Sequence, residues 1–393
     1  MHLEPAQPIC ADLSEPVEHS CRRFIKVIAL LVLPSVALLL LLLFCNYRFL
    51  KSTGEFLEPL EIIESQSRLG SLWQVATRDG VPSFKLELYK QIKPQIVVFG
   101  SSRTNHFHQE YFTRPYVGMG NAAHNLVEIE YVLQLALQNH KPDVLLIGVD
   151  ETFFLPKPSA TRNTIPRKLH QSKFPSLEEL RLPFGWISDG RIPIEVYWRY
   201  VLGHLSEDQL RLGVRANFLN VGFAIDGSQY EDPPWRREPL CDASRFASYV
   251  PLSLTKPTNP DPATVAAYKN ILKLAKEHSV PLITFFPPYP TSVNHRLLAN
   301  ANSRAFIESV SELVASTSPR HYDFREFGDE SNDCEYLDAQ HGGDVTFARV
   351  ARKMGQDPNG TMKKFVKADA VNQIIGEYGG LPTIPLPKKI FQK

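Results

Sequence analysis

The chain is poor in cysteine and has no cysteine pattern. Cys10, Cys21, Cys45, Cys241 and Cys334 include no CxxC and no paired spacing of the kind that holds zinc. Charge of one sign is also missing. The formal net charge is +1, with no long basic or acidic run, and this argues against a nucleic-acid partner. No internal repeat and no low-complexity block is present, which sets aside solenoid and fibrous architectures. Of the cysteines, only Cys241 and Cys334 lie in the bulk of the chain. Paired in an oxidising compartment, or left as two separate buried thiols, they fit the sequence equally well.

What the chain does contain is one long uncharged apolar run, residues 27–44, preceded by Arg22, Arg23 and Lys26 and followed by Arg48 and Lys51. With its flanks it is long enough to cross a bilayer as a helix, and Pro34 is tolerable inside such a helix. A cleaved signal peptide is the rival reading. The run is long for one, the segment before it is long, and no small-residue cleavage site follows. The expectation is a retained anchor at residues 24–46 behind a cytoplasmic tail, 1–23. The slight excess of basic residues before the span places the rest outside the cytoplasm. Residues 47–90 read as a juxtamembrane connector.

From residue 91 a βα rhythm begins. Residues 96–99 and 116–119 are strand candidates. Residues 125–138 carry Leu126, Ile129, Val132, Leu133, Ala136 and Leu137 at helical spacing. Residues 144–149 form a near-continuous apolar run, as expected of a parallel strand covered on both faces. The rhythm stops at Pro156. Residues 156–260 are rich in proline, arginine and aromatics, and read as an insertion over the sheet. The rhythm resumes at Asp261-Pro262, an N-cap followed by proline at the first helical position. Strands are expected at 280–286 and 321–324, and helices at 302–315 and 345–354. The fold expected is therefore α/β, a three-layer open parallel five-stranded sheet over residues 91–355, followed by a patternless tail, 356–393.

Two stretches carry the chemistry. Residues 95–105, QIVVFGSSRTN, run a buried strand into a glycine and two serines. Residues 336–342, YLDAQHG, supply an Asp and a His three apart. Serine is a weak nucleophile unless a base, usually a histidine oriented by a carboxylate, takes its proton. Ser102 is the candidate nucleophile, His341 the base and Asp338 its orienter. Either motif alone is ordinary turn chemistry. Their order, first strand and last loop of one α/β domain, is what points to acyl chemistry. His106 and His108 alternate with Phe107; without a third ligand in view they read as surface or pocket-rim histidines, so no metal and no cofactor is expected.

These blocks resemble the SGNH (GDSL-like) hydrolase superfamily, in the membrane-anchored branch that includes alginate O-acetylation proteins and the teichoic acid D-alanylation protein. Phe99-Gly100-Ser101-Ser102 matches the family's first block, with Ser101 in the Asp place, and Asp338-Ala-Gln-His341 matches its last. The resemblance implies a bacterial inner-membrane protein with a periplasmic domain that transfers or hydrolyses acyl groups on a polysaccharide or other glycan, beside a multi-spanning membrane acyltransferase as a possible partner. It further implies oxyanion and substrate contacts from Gly120, Asn121 and Arg103. Where the family offers an Asn after its third strand this chain has Asp150, a poor oxyanion donor unless protonated; a place beside Arg103 suits it better. That departure keeps open a second reading, a catalytically weak or inactive scaffold with the same fold.

Overall fold

A computed structural model describes residues 14–156, 169, 174–204, 211–231, 246, 254, 259–327 and 332–385. The chain divides into two compact units, residues 1–52 with 175–204 and residues 53–174 with 205–393.

The first unit is built on helix α1, Ser14–Thr53. Its segment Arg22–Thr53 is long and apolar enough to cross a membrane, and side chains such as Leu30, Leu33 and Leu40 are exposed, with no protein against them. The composition changes at Cys45, a buried free thiol, and Asn46. From there the helix packs on two short helices, α5 (Leu177–Ser188) and α6 (Ile194–Leu202). The Asn46 amide donates to the Leu180 carbonyl at 2.8 Å and accepts from the Tyr197 hydroxyl at 2.6 Å, while Phe49 lies against the rings of Tyr197 and Tyr200.

The second unit holds a five-stranded, all-parallel sheet. Its strands are β2 (Ile96–Gly100), β3 (Tyr116–Gly120), β4 (Val144–Gly148), β8 (Leu282–Phe286) and β9 (His321–Asp323), in the order β3-β2-β4-β8-β9. Every residue of the four longer strands is buried, which is why they read as continuous apolar runs rather than alternating ones. Alternate side chains still serve different faces. Val97, Phe99, Val117, Met119, Leu145 and Ile147 share a core with helices α3 (Val81–Ile92), α4 (Leu126–Asn139), α8 (Pro262–Glu277), α9 (Thr291–Ala299) and α10 (Ala301–Thr317). Ile96, Val98, Tyr116, Val144, Leu146, Ile283 and Phe285 pack with α11 (Asp344–Gln356) and α12 (Ala368–Tyr378). The result is helices, sheet, helices, with β2 flanked by β3 and β4, the point where the strand order reverses. Helix starts follow local chemistry: the Asn125 side chain caps α4 by accepting from Glu128 N, and that of Asp261 caps α8 by accepting from Thr264 N, with Pro262 next.

Three expectations about organisation change. Residues 59–92 are not a separate connector: Ile62, Trp73, Phe84, Leu88 and Tyr89 are buried in the main core, because helix α2 (Pro59–Leu69) and α3 lay one apolar face on the sheet layer. Residues 356–385 are not a loose tail. Met362, Phe365 and Val371 are buried under the other face, and Val366 bridges to Phe112. Residues 156–260 are not one insertion. Helices α5 and α6 belong with α1, whereas β5 (Arg211–Leu212), α7 (Val214–Leu219), β6 (Val221–Phe223) and β7 (Gln229–Glu231) join β1 (Leu72–Trp73) in a second sheet, ordered β5-β1-β6-β7. The remainder of that stretch, Cys241 included, lies outside the described residues; Cys334 is disulfide-bonded.

Candidate active site

The carboxyl end of β2 shows why the sequence reads Gly-Ser-Ser-Arg-Thr. Ser101 is extended, and its hydroxyl accepts from Arg103 N at 3.1 Å; Ser102–Thr104 then make one 3-10 turn, closed by Thr104 N donating to Ser101 O and Asn105 N to Ser102 O. The turn folds back over the strand ends. A methyl group on Gly120 would lie 2.2 Å from Asn105 Oδ1, and one on Gly148 would lie 2.3 Å from Thr104 Cγ2. Glycine at the ends of β3 and β4 is thus the condition for the turn to sit there.

The turn presents Ser102 Oγ 2.7 Å from His341 Nε2. On the other side of the ring, Nδ1 is 2.8 and 2.9 Å from the two oxygens of Asp338. With Nδ1–H donating to that carboxylate, Nε2 carries the lone pair that accepts from Ser102. Asp338 Oδ1 also accepts from the backbone N–H of Gln340 and His341, an Asx turn that fixes the three-residue spacing. Burial pushes the Asp338 carboxyl up, but the His341 hydrogen bond and charge, with the two backbone donors, bring it down to about 2. The carboxylate stays ionised beside the ring. Asp338 is exposed and His341 partly so; the group opens to solvent.

Arg103, expected as an oxyanion or substrate contact, is buried and paired with Asp150, which takes the place beside Arg103 that suited it better than an oxyanion contact. Arg103 Nη1 lies 2.6 Å from Asp150 Oδ1, Nη2 donates to the carbonyls of Pro287 and Pro288, and Nε donates to Gln340 O. The guanidinium also lies over the Tyr289 ring at 3.8 Å. Four of its five N–H groups are taken by these oxygens, and Nη1 also lies 3.8 Å from Glu151 Oε2, so the guanidinium is turned into this buried cluster. Gly120 ends its strand beside the Ser102–Thr104 turn. Asn121 follows in the left-handed region (φ 60°), its N–H donating to Gly100 O, and its half-buried side-chain amide has no hydrogen bond among the described residues. It is the free polar side chain next to the turn.

The histidines at 106 and 108 are not at a pocket rim. They are 2 % and 0 % exposed, and His106 Nδ1 and His108 Nε2 each lie 2.8 Å from the same oxygen of Asp344. Asp344 Oδ2 accepts from Ile384 N, and its carbonyl accepts from Tyr111 OH. Burial favours protonation of Asp344, yet the two histidines pull its pKa far below the ordinary carboxylate range. The residues four and six after Ser102 are thereby bound to the residue three after His341. The sequence signal was an alternating His-x-His after the nucleophile with an Asp just past the candidate base; the missing piece was that the two stretches meet. No family model matches the chain, and no curated protein or solved structure is similar to it.

Proposed function

We propose that the chain is a membrane-anchored serine acyltransferase or esterase of the SGNH-like kind, acting outside the cytoplasm on a glycan. The observation that carries the reading is the hydrogen-bonded series Ser102 Oγ, His341 Nε2, His341 Nδ1, Asp338, at the carboxyl end of the central strand where the strand order reverses. In this reading His341 Nε2 takes the hydroxyl proton as Ser102 Oγ attacks an acyl ester. The imidazolium is held by Asp338 and returns the proton to the leaving alcohol, leaving the acyl group on Ser102. An acceptor hydroxyl, from a sugar or from water, then loses its proton to His341 as it takes the acyl group, and His341 passes that proton to Ser102 Oγ as the ester bond to it breaks. Asn121 is the side chain placed to donate to the developing oxyanion. The apolar helix ahead of the domain supports anchoring, and the basic residues before it support an outward-facing domain.

One observation favours a second reading. Asp150 stands where the family has an Asn donor, and its carboxylate is neutralised by Arg103 rather than turned to the site. A fold that lost that donor would serve as a scaffold, binding a membrane acyltransferase or an export complex.

A fluorophosphonate probe separates the two. The enzyme reading expects covalent labelling at Ser102 in the folded full-length protein, abolished in Ser102→Ala, with ester turnover lower by about 10³-fold or more. Folded protein that takes no label, or Ser102→Ala that keeps wild-type turnover, removes Ser102 from the chemistry.

A further inference from the structure

His108 faces two ways. Its Nε2 lies 2.8 Å from Asp344 Oδ1 and carries the hydrogen that the carboxylate accepts. That tautomer leaves Nδ1 as a bare lone pair, and Nδ1 is buried with no hydrogen-bond partner among the described residues. One ring nitrogen of His108 and one carboxylate oxygen each of Glu110 and Asp226 lie within 4.8 Å of one another. Since Asp344 holds Nε2, Nδ1 is the nitrogen left to these two carboxylates. A lone pair and two anions gathered out of water repel one another unless a positive group lies between them.

We propose that His108, Glu110 and Asp226 bind one divalent transition-metal cation of the zinc or manganese type. One imidazole and two carboxylates form a mixed nitrogen and oxygen set that suits such ions. The surrounding groups fit. Asp344 on Nε2 and the ion on Nδ1 make the carboxylate–histidine–metal arrangement that orients a ligating ring. Asp226 is itself fixed, Oδ1 accepting from Ser228 N and Oδ2 from Gln109 N, both at 2.9 Å. A second, independent sign comes from atoms outside the ligand set. The hydroxyls of Tyr116 and Tyr230 are buried without a hydrogen-bond partner among the described residues, and the Tyr230 ring centroid is 4.4 Å from that of His108. Glu110 Oε2 is likewise unpartnered. Glu110 is only partly buried, which gives the ion a way in.

The carboxylates of Glu110 and Asp226 converge beside the His108 ring, and a dication between them would offset their charge. Bound there, it would tie the far end of the Ser102 loop to the 226–229 turn. This is a role apart from acyl transfer, and it stands whether or not Ser102 is reactive.

The test uses the full chain in detergent, stripped with a chelator and dialysed against Zn²⁺ or Mn²⁺ alone, with bound metal measured by atomic emission and melting followed in parallel. Wild type should retain one ion per chain and melt higher as free metal rises. Glu110→Gln and Asp226→Asn should each weaken binding by about tenfold or more and lose the metal-dependent rise, while Glu308→Gln on the exposed face of α10 should match wild type. Folded wild type that holds no ion at about 100 µM free metal leaves a proton or water on Nδ1 and overturns the proposal. Unchanged binding in folded Glu110→Gln puts the ion elsewhere and overturns it equally; the wild-type stoichiometry decides the matter if that variant does not fold.

Discussion

Arg103, the residue after Ser102, donates through Nε to the carbonyl of Gln340, the residue before His341, at 3.1 Å. The neighbours of Ser102 and His341 are therefore bonded to each other as that pair itself is. The remaining guanidinium donors end on Asp150 and on the Pro287 and Pro288 carbonyls, all in the second unit. One buried cation thus joins the ends of β2, β4 and β8 to the histidine loop.

Replacing that fork is expected to cost both stability and rate. Arg103→Met leaves Asp150 buried without a counter-charge, which costs about 3–5 kcal/mol for a pair of this kind. Arg103→Lys keeps the charge but not the geometry that reaches four acceptors, and should fall between Met and wild type. Urea unfolding midpoints, read with the probe-labelling rate at Ser102, check this. Wild-type stability in Arg103→Met would show that the cluster is not under load.

Asp344→Asn tests the second tie. One carboxylate oxygen serves His106 and His108, and an amide has only one acceptor oxygen to place among these donors and Ile384 N. The loss expected is about 3 kcal/mol. If the tie also aligns the serine loop, labelling at Ser102 should slow in protein that is still folded. A stability loss with an unaltered labelling rate would confine Asp344 to holding the fold.

Acid sensitivity follows from Asp338. Its folded pKa, about 2, lies below its ordinary 3.8, so the folded state binds fewer protons over that interval and stability rises with pH across it. The contribution is full above about pH 4 and is lost as pH falls toward 2. Because the side chain is more than half exposed, it is worth about 1 kcal/mol rather than the full shift. Melting curves of wild type and Asp338→Asn should converge in this range and separate above it. Curves that stay parallel from pH 7 to pH 3 would rule the contribution out.

Gly120→Ala probes the packing of the turn. The added carbon meets Asn105 Oδ1 at 2.2 Å, Thr104 Oγ1 at 2.8 Å and the Ser101 carbonyl at 3.1 Å. Overpacking of this sort costs about 1–3 kcal/mol and should displace Ser102 before it unfolds the domain. Gly185→Ala, where nothing lies within 4 Å, is the matched control in the first unit. Calorimetry and labelling on the same samples would show whether rate falls first.

Much of the sheet was legible because burial on both faces leaves a plain mark. Residues 96–99, 144–149 and 280–286 are apolar without alternation, and Asp261-Pro262 announces a helix by its own capping chemistry. The Asp338 to His341 turn was legible for the same reason: its geometry is made within four residues. What escaped depends on distant partners. Trp73 and Phe84 look like any connector aromatics until the sheet is there to receive them. Residues 368–378 bury only Val371 completely, too little for a periodic pattern to stand out. His106 and His108 gave no sign of burial, because their shared acceptor lies 238 and 236 residues away. The place of Asp150 beside Arg103 was legible, but not that the same guanidinium would also reach the Gln340, Pro287 and Pro288 carbonyls, 237, 184 and 185 residues away.

The segment that ends the described chain meets the start of α11. Asp344 N donates to Pro382 O, Ile384 N donates to Asp344 Oδ2, and Gly343 has no room for a side chain against the Pro382 carbonyl. Residues 380–385 thus act as a latch on the reverse side of the histidine loop. Among the described residues, trimming the polypeptide before Pro382 would remove no hydrogen bond to Ser102, yet it would unfasten Gly343 and Asp344, on which the His341 loop rests.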